Sequence, residues 1–468
     1  MVCRFFRLVE QREGINRLNL PKDLNDYAVY SLVFLFDENF VGDTIIPYGK
    51  DIENTDHTLV MIPRNGVSPG QVKLWLKRCE KHHGDMCKRV GTRQPKNEDW
   101  DILLIDVQKR CLKPAKYHSI RYVALSYVWG NASQFRCLKA NVRSLCRTSG
   151  LQEHWEMIPQ TIKDAISFTN CVGELYLWVD SLCIIQDDEE YKMRQISSMA
   201  TIYSWATFTI VAASGLHANS GLSQSRSEQI YPVPSCPGLF IAPRTDFLED
   251  LMSTKYISRA WTFQERLFSR RCLYFLEHQV YFQCRSEIRS EDRVAPYYDD
   301  GLALLNPTIH NPGAIFFAKY LQLVYEYVSK DLTDPGDIVN AFSGISEHIS
   351  QSNGWDFAHG LPLQILDAAL MWCHVDRSPR RRSRLSCPTA GKEPSWSWTG
   401  WHGRITYEHT ILWGGKIQTL VKEAYLFKQN CDPTDEEIST TNTSRPEFQR
   451  YRSLSLQGIL TFTAFGPE

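Results

Sequence analysis

The architecture of this chain can be worked out from one segment, Tyr122-Val-Ala-Leu-Ser-Tyr-Val-Trp-Gly130. Residues 123–129 form a continuous, mainly apolar run, and Gly130 ends it. Strands buried on both faces of a parallel sheet show such uninterrupted runs, whereas half-exposed strands alternate apolar and polar residues. The segment therefore predicts a buried parallel strand that leads into a loop.

Helices and strands alternate along the chain after this segment. Pro159 suits the start of a helix, residues 175–179 form a second apolar run, residues 189–206 have helical spacing, and residues 207–213 form a third run. Strands separated by helices predict a parallel sheet with right-handed crossovers. We therefore predict an α/β fold.

Ligands of such a sheet bind outside the carboxyl ends of its strands. Polar, aromatic and glycine residues follow all three predicted strands. The candidates for substrate binding at this edge are Ser126, Tyr127, Trp129, Gly130, Asp180 and Ser214.

A second segment, Ser258-Arg-Ala-Trp-Thr-Phe-Gln-Glu-Arg-Leu267, supplies a candidate catalytic carboxylate. Residues 258–268 fit a helix with Ser258 as its N-cap, and Glu265 and Trp261 lie close to its partly apolar face. One interpretation is a catalytic Glu265 with Trp261 as a wall of the site. The other, which spacing alone favours, pairs Glu265 with Arg259, Arg266 or Arg270 in a solvated network.

Cys79, His83 and Cys87 have C-x3-H-x3-C spacing, which places two thiols and an imidazole along one side of a helix. A zinc site needs a fourth ligand, and the sequence offers only His82 or the distant Cys111. Buried thiols on an amphipathic helix explain the pattern more simply. We therefore predict no metal site.

Length and composition indicate a globular protein with several cores. The chain has 468 residues, of which 43% are hydrophobic and 22% charged. The net charge of -1 provides no overall attraction to nucleic acid or to anionic membranes, so neither is an expected partner. Residues 1–10 lack the apolar core of a secretory signal, and the apolar stretch 27–36 is too short to span a bilayer. With fourteen scattered cysteines, this favours reduced thiols in the cytoplasm, with the nucleus as the alternative.

Residues 121–285 resemble the heterokaryon incompatibility (HET) domain of filamentous fungi. Five segments in the same order carry the resemblance, and the flanking residues 327–341 and 394–401 extend it to most of the chain. The segments are Tyr122 to Gly130, Ile158-Pro-Gln-Thr-Ile-Lys-Asp-Ala165, Leu177-Trp-Val-Asp-Ser-Leu-Cys-Ile-Ile-Gln-Asp187, Met199-Ala-Thr-Ile-Tyr203 with Ala206 to Ser214, and Arg259-Ala-Trp-Thr-Phe-Gln-Glu265.

The resemblance implies an N-terminal extension (1–115), a HET domain (116–290) and a C-terminal α+β region (291–468). The HET domain is in turn similar to the Toll/interleukin-1-receptor (TIR) domain, a flavodoxin-like fold. Ser258, Trp261 and Glu265 approximate a TIR motif, offset by one residue, whose glutamate cleaves NAD in several members. Thr262 replaces its cysteine.

Two functions follow from the resemblance. The first is an effector of non-self recognition and programmed cell death, with NAD as a substrate and Glu265 as the catalytic residue. The second is a non-catalytic module that acts by homo-oligomerisation or by recruiting an incompatibility partner. The chain has neither the phosphate-binding loop of ATPases nor the glycine fingerprint of dehydrogenases, so no cofactor is expected.

Two features lie in the C-terminal region. The spacing of three tryptophans, Trp396, Trp398 and Trp401, is that of a strand. The simpler interpretation is that their rings pack in the core. The alternative is that they form a platform on which a base or another ring stacks. The basic run at 380–384 favours a solvated loop over an acidic partner or a nuclear address.

Overall fold

The fold is described from a computed structural model. The described residues are 44–48, 67–87, 101–116, 118–130, 134–222, 231–232, 240–244, 247–277, 279–291, 314–375, 393–407, 424–428 and 458–462. The apolar stretch 27–36 and the basic run 380–384 lie outside them. So do residues 89–99, whose charged and Gly/Pro/Asn-rich sequence predicts a linker, and residues 430–450, whose polar sequence predicts a loop. None of the described helices combines the length and apolar character that crossing a membrane requires.

The strands occur throughout the described residues and are numbered in chain order. They are β1 (Thr44–Tyr48), β2 (Asp101–Asp106), β3 (Cys111–Lys116), β4 (Val123–Tyr127), β5 (Tyr176–Trp178), β6 (Thr209–Ala212), β7 (Tyr231–Pro232), β8 (Phe240–Arg244), β9 (Arg271–Phe275), β10 (Val280–Cys284), β11 (Ile288–Ser290), β12 (Phe357–Ala358), β13 (Leu361–Pro362), β14 (Trp372–His374), β15 (Ile405–Tyr407), β16 (Ala424–Lys428) and β17 (Gly458–Phe462).

The largest sheet in the described part of the chain has the order β11-β10-β9-β6-β4-β5-β2-β3. Its central strands β9, β6, β4 and β5 are parallel. The strands outside them pair antiparallel. The predicted α/β fold with a parallel core is confirmed. The apolar runs at 272–275 and 280–284, which predict a hairpin or two adjacent strands, form the antiparallel pair β9 and β10.

The strand order places a reversal in the direction of winding beside β4. In chain order the central strands are β4, β5, β6 and β9, and in space they run β5-β4-β6-β9. This is the 2-1-3-4 order of flavodoxin-like sheets, in which the chain reverses its direction of winding between the first and third strands. Ligands of doubly wound sheets bind at that point, which here lies between β4 and β6.

Helices pack on both faces of this sheet. The α-helices are α1 (Pro69–His82), α2 (Gly84–Cys87), α3 (Val142–Leu145), α4 (Gln160–Val172), α5 (Asp180–Cys183), α6 (Glu189–Ser197), α7 (Met199–Trp205), α8 (Phe247–Met252), α9 (Ala260–Phe268), α10 (Ala314–Val328), α11 (Ser343–Asn353) and α12 (Leu366–Ala369). Pro159 precedes α4 as predicted, and Gly173 ends it with a left-handed φ of 86°. The predicted single helix at 189–206 is wrong, because Ser198 adopts ψ near 3° between α6 and α7.

Short 3₁₀ helices connect the C-terminal elements. They are Gln152–Met157, Pro335–Ile338, Asn340–Phe342, Leu363–Ile365 and Trp398–Gly400. The predicted strand around Trp398 is therefore wrong: Ser397 caps a 3₁₀ turn by accepting a hydrogen bond from the Thr399 N–H. The Trp398 ring is buried, as core packing requires.

Two apolar clusters pack against the sheet, and at β9 they lie on its opposite faces. Leu273 and Phe275 of β9 belong to the larger cluster, and Cys272 and Tyr274, which alternate with them, belong to the smaller. The larger cluster runs from Val72 of α1 to Tyr407 of β15, so it includes residues from all three predicted segments. The predicted domain boundaries at 115/116 and 290/291 stay a prediction.

Candidate active site

Helix α9 carries Glu265 against the sheet. Arg259, with extended backbone, precedes the helix, and Ser258 does not cap it as predicted. The Ser258 hydroxyl instead donates to the Lys255 carbonyl (3.0 Å) and lies 3.1 Å from an Asp331 carboxylate oxygen. The Asp331 carbonyl accepts from the N–H of Ala260 (2.9 Å) and thereby satisfies the first turn of the helix.

Glu265 lies inside the protein beside β4. Its side chain is 6% exposed, and the Ser126 hydroxyl donates a hydrogen bond to its carboxylate. Ser126 Oγ also lies 2.7 Å from the Tyr256 hydroxyl. Because Ser126 has one hydroxyl proton, which it gives to Glu265, Tyr256 is the donor in that second bond. The alternative of a solvated ion-pair network for Glu265 is therefore wrong.

A second carboxylate, Asp180, lies at the start of α5, directly after β5. Its two oxygens accept hydrogen bonds from the Ser181 N–H (2.7 Å) and from Trp129 Nε1 (2.8 Å). The Tyr127 hydroxyl donates to the Gln134 side chain (2.9 Å) and lies 3.2 Å from Ser181 Oγ. The loop after β4 and the end of β5 thus meet at one edge, as predicted for the carboxyl ends of adjacent parallel strands.

Both carboxyl groups bind protons more tightly than ordinary acids. Burial raises the pKa of Glu265 to about 7; the Ser126 hydrogen bond and the charge of Arg259 oppose the rise, and the charge of Asp180 adds to it. Burial raises the pKa of Asp180 to about 6, against the hydrogen bonds from Ser181, Trp129 and Tyr127 and the charge of Arg259. Both carboxyl groups therefore keep their protons to a higher pH than exposed Asp and Glu side chains do.

Tyrosines complete the surroundings of Glu265. Burial raises the pKa of Tyr203 and of Tyr256 well above its usual value, so both remain protonated hydroxyl donors. Tyr203 donates to the Leu125 carbonyl at 3.1 Å. Sequence reasoning missed Tyr256 because residues 215–256 show no helical or strand period, and it considered Arg259 only as an ion-pair partner.

The remaining predicted residues have other contacts. Gly130 adopts a φ of 63°, and a Cβ there would lie 2.6 Å from the Cβ of His217. The Ser214 N–H donates to the Phe275 carbonyl (3.1 Å), and Trp261 hydrogen-bonds the Asp337 carboxylate. The structure therefore brings together Ser126, Tyr127, Trp129, Asp180 and Glu265, whereas the contacts described for Ser214 and Trp261 are to residues outside this group.

Two carboxyl groups, the charge of Arg259 and the Trp129 ring thus lie at the carboxyl edge of β4 and β5. Comparison with known proteins gives one match. Residues 122–265, from the start of β4 to Glu265, match the family model described as heterokaryon incompatibility protein (HET). No curated protein and no solved structure matches the chain.

Proposed function

We propose that this protein acts in non-self recognition by hydrolysing NAD. Its residues 122–265 form a HET domain, and this family implies a role in heterokaryon incompatibility. The products are nicotinamide, ADP-ribose and a proton. Glu265 is the catalytic carboxylate. The observation that carries the proposal is its position: a buried carboxylate, oriented by Ser126, beside the strand at which the doubly wound sheet reverses its direction of winding.

The chemistry needs little more than one carboxylate. The nicotinamide of NAD is cationic and leaves as a neutral molecule when its bond to the ribose C1′ breaks, so no general acid is required. Water then forms the new bond to C1′ and loses a proton. An ionised Glu265 stabilises the oxocarbenium-like transition state and orients the ribose hydroxyls, which differs from the two-carboxylate arrangement of ordinary glycosidases.

The neighbouring residues have distinct roles in this proposal. Asp180, held by Trp129 and Ser181, binds the ribose hydroxyls. Trp129, with its half-buried ring, stacks on a ring of the substrate. Arg259, whose charge acts on both carboxyl groups, offers a cation for the pyrophosphate.

One observation favours a second candidate, a non-catalytic interaction module. Glu265 is nearly closed off from solvent and engaged by Ser126, so its carboxylate has a structural contact whether or not a substrate binds. In that case the HET domain acts by homo-oligomerisation or by recruiting a partner protein.

The two candidates are separated by assaying NAD consumption with the purified full chain at high concentration. Nicotinamide release is followed by chromatography for the wild type, Glu265→Gln and Asp180→Asn. We expect release by the wild type and a loss of about 10²-fold or more in Glu265→Gln, because the substitution removes the charge that stabilises the transition state.

Glu249→Gln, on the exposed face of α8, is the matched control and should retain full activity. Folding of each variant is checked by circular dichroism. Absence of nicotinamide release from folded wild type, with and without a crowding agent, would leave the interaction module as the function.

A further inference from the structure

Four metal-ligating side chains converge outside the site described above. Cys79 lies in the last turn of α1, His83 follows that helix, Cys87 ends α2 and Cys284 ends β10. One ligand atom from each lies within 4.8 Å of all the others. Cys284 is 201 positions from His83 along the chain, which is why the C-x3-H-x3-C spacing alone indicated no fourth ligand.

The spacing of these atoms fits a tetrahedral ion. With Zn–S bonds of about 2.3 Å and a Zn–N bond of about 2.0–2.1 Å, the ligand atoms of a tetrahedral zinc site lie about 3.6–3.8 Å apart. In this structure His83 Nδ1 lies 3.3 Å from Cys284 Sγ and 4.0 Å from Cys87 Sγ. These two distances lie within about half an ångström of the tetrahedral values, and all other pairs of ligand atoms lie within 4.8 Å.

The opposite nitrogen of His83 has a suitable partner. His83 Nε2 lies 3.7 Å from Glu287 Oε1, and Arg289 donates to the same oxygen at 2.6 Å. Histidine ligands of zinc commonly direct their second nitrogen at a carboxylate, which fixes the ring orientation. His83 therefore directs Nδ1 toward the three sulfurs, as a ligand would.

The surroundings also suit thiolates. Arg271 Nε donates to Cys79 Sγ at 3.0 Å, and the Ser286 N–H donates to Cys284 Sγ at 3.4 Å. Three thiolates carry more charge than one Zn²⁺ offsets, and the Arg271 guanidinium balances the excess. The same guanidinium donates to the carbonyls of Thr207 (3.1 Å) and Cys87 (3.3 Å), which fixes it beside the sulfur cluster.

We propose that Cys79, His83, Cys87 and Cys284 bind a structural zinc ion. Three sulfurs and one imidazole nitrogen in tetrahedral spacing select zinc among common metals. Four protein ligands leave no open position, so the ion has a structural role and no catalytic one.

The zinc ion ties two parts of the chain together across the HET domain. Its ligands lie before residue 122 and after residue 265, so they bracket the segment that matches the family model. The ion joins α1 and α2 to the end of β10, next to the contact between the Trp75 and Phe282 rings (6.0 Å between centroids). Because the four ligands converge only in the folded chain, the free energy of zinc binding adds to the stability of the fold.

The test begins with metal content. The full chain is purified without a polyhistidine tag or chelator, and its zinc is measured by inductively coupled plasma mass spectrometry. We expect about one zinc ion per chain, and at least about a tenfold lower content in Cys87→Ser and Cys284→Ser.

Cys272→Ser is the matched control. Cys272 is a buried cysteine on β9, opposite Gln283 of β10, and it faces the smaller apolar cluster on the other side of the sheet. This variant should retain its zinc. Equal zinc loss in Cys272→Ser and Cys284→Ser would overturn the assignment of ligands.

Wild-type measurements keep the proposal testable if the ligand variants do not fold. X-ray absorption at the zinc edge should show three sulfur ligands at about 2.3 Å and one nitrogen at about 2.0–2.1 Å. Cobalt-exchanged protein should show thiolate-to-cobalt charge transfer and the visible bands of a tetrahedral ion. A metal-free wild type, or an ion with only oxygen and nitrogen ligands, would overturn the proposal.

Discussion

Glu265 is costly to bury, and the residues around it reduce that cost without removing it. An ionised carboxylate in the core loses its hydration, and the Ser126 hydroxyl and the charge of Arg259 compensate in part. The remaining cost appears as a raised pKa. The sequence pattern located Glu265, but it could not show this balance, because Ser126 and Tyr256 approach it from positions 139 and 9 residues away along the chain.

The raised pKa of Glu265 predicts a pH-dependent stability. Its pKa is about 7 in the folded protein against an ordinary value of 4.5, so the folded state binds the proton more tightly than the unfolded state. The contribution of Glu265 to the free energy of unfolding is therefore largest below about pH 4.5, and it is lost as the pH rises to about 7. The loss amounts to about 3 kcal/mol at most.

We expect Glu265→Gln, which cannot ionise, to gain stability relative to the wild type as the pH rises from about 5 to about 8. Melting temperatures of both proteins across that range give the difference directly. The exposed Glu249→Gln should show a constant difference from the wild type. A difference for Glu265→Gln that does not change with pH would mean that Glu265 titrates normally.

At the scale of elements, local patterns located the parallel strands β4, β5 and β6 and the helices α4 and α9, and tertiary packing decided the rest. The strands β4, β5 and β6 follow from apolar runs, because burial on both faces leaves no other residue type acceptable. The break between α6 and α7 at Ser198 has no proline or glycine to signal it. The 3₁₀ turn at Trp398 follows from a side-chain cap that residue alternation does not reveal.

The loop after β4 depends on Gly130 for two separate reasons. Its φ of 63° disfavours any side chain, and a Cβ would lie 2.6 Å from His217 Cβ and 3.0 Å from His217 Cα. We expect Gly130→Ala to cost more than the 1–2 kcal/mol or so typical of a left-handed residue, and to move Trp129 away from Asp180.

Gly354→Ala separates the two causes, since Gly354 has a φ of 70° but no atom within 4 Å of the position that a Cβ would occupy. Urea denaturation should therefore give a larger loss for Gly130→Ala than for Gly354→Ala. Equal losses would show that the loop yields to His217 and that the backbone angle alone matters.

At the scale of the whole molecule, the C-terminal segment holds α9 in place. Gln264 of α9 accepts a hydrogen bond from the Gly344 N–H at 3.0 Å, and the Phe263 and Tyr327 rings lie 6.1 Å apart. These contacts continue to Trp398, whose ring lies 6.0 Å from that of Tyr327. Composition indicated several cores. It could not show that one apolar core continues from α9 to Trp398, because that core is formed by contacts between segments distant in the chain.

Trp398 is therefore expected to stabilise the site from a distance. Its side chain is 1% exposed, packs on Phe342 at 5.2 Å between ring centroids, and donates from Nε1 to the Tyr320 hydroxyl at 3.2 Å. Trp398→Ala should lower the free energy of unfolding by about 3–5 kcal/mol, since it leaves a large cavity and removes a donor to that hydroxyl. Because the same core reaches α9, the chain should still unfold in one transition at a lower temperature.

Calorimetry with Trp401→Ala as the control checks this coupling. Trp401 belongs to the same tryptophan series but is half-buried, so its removal should cost far less. If Trp398→Ala instead splits the calorimetric transition in two and leaves the upper one at the wild-type temperature, the C-terminal segment unfolds independently of α9. A single transition shifted downward would place Trp398, α9 and Glu265 in one cooperative unit.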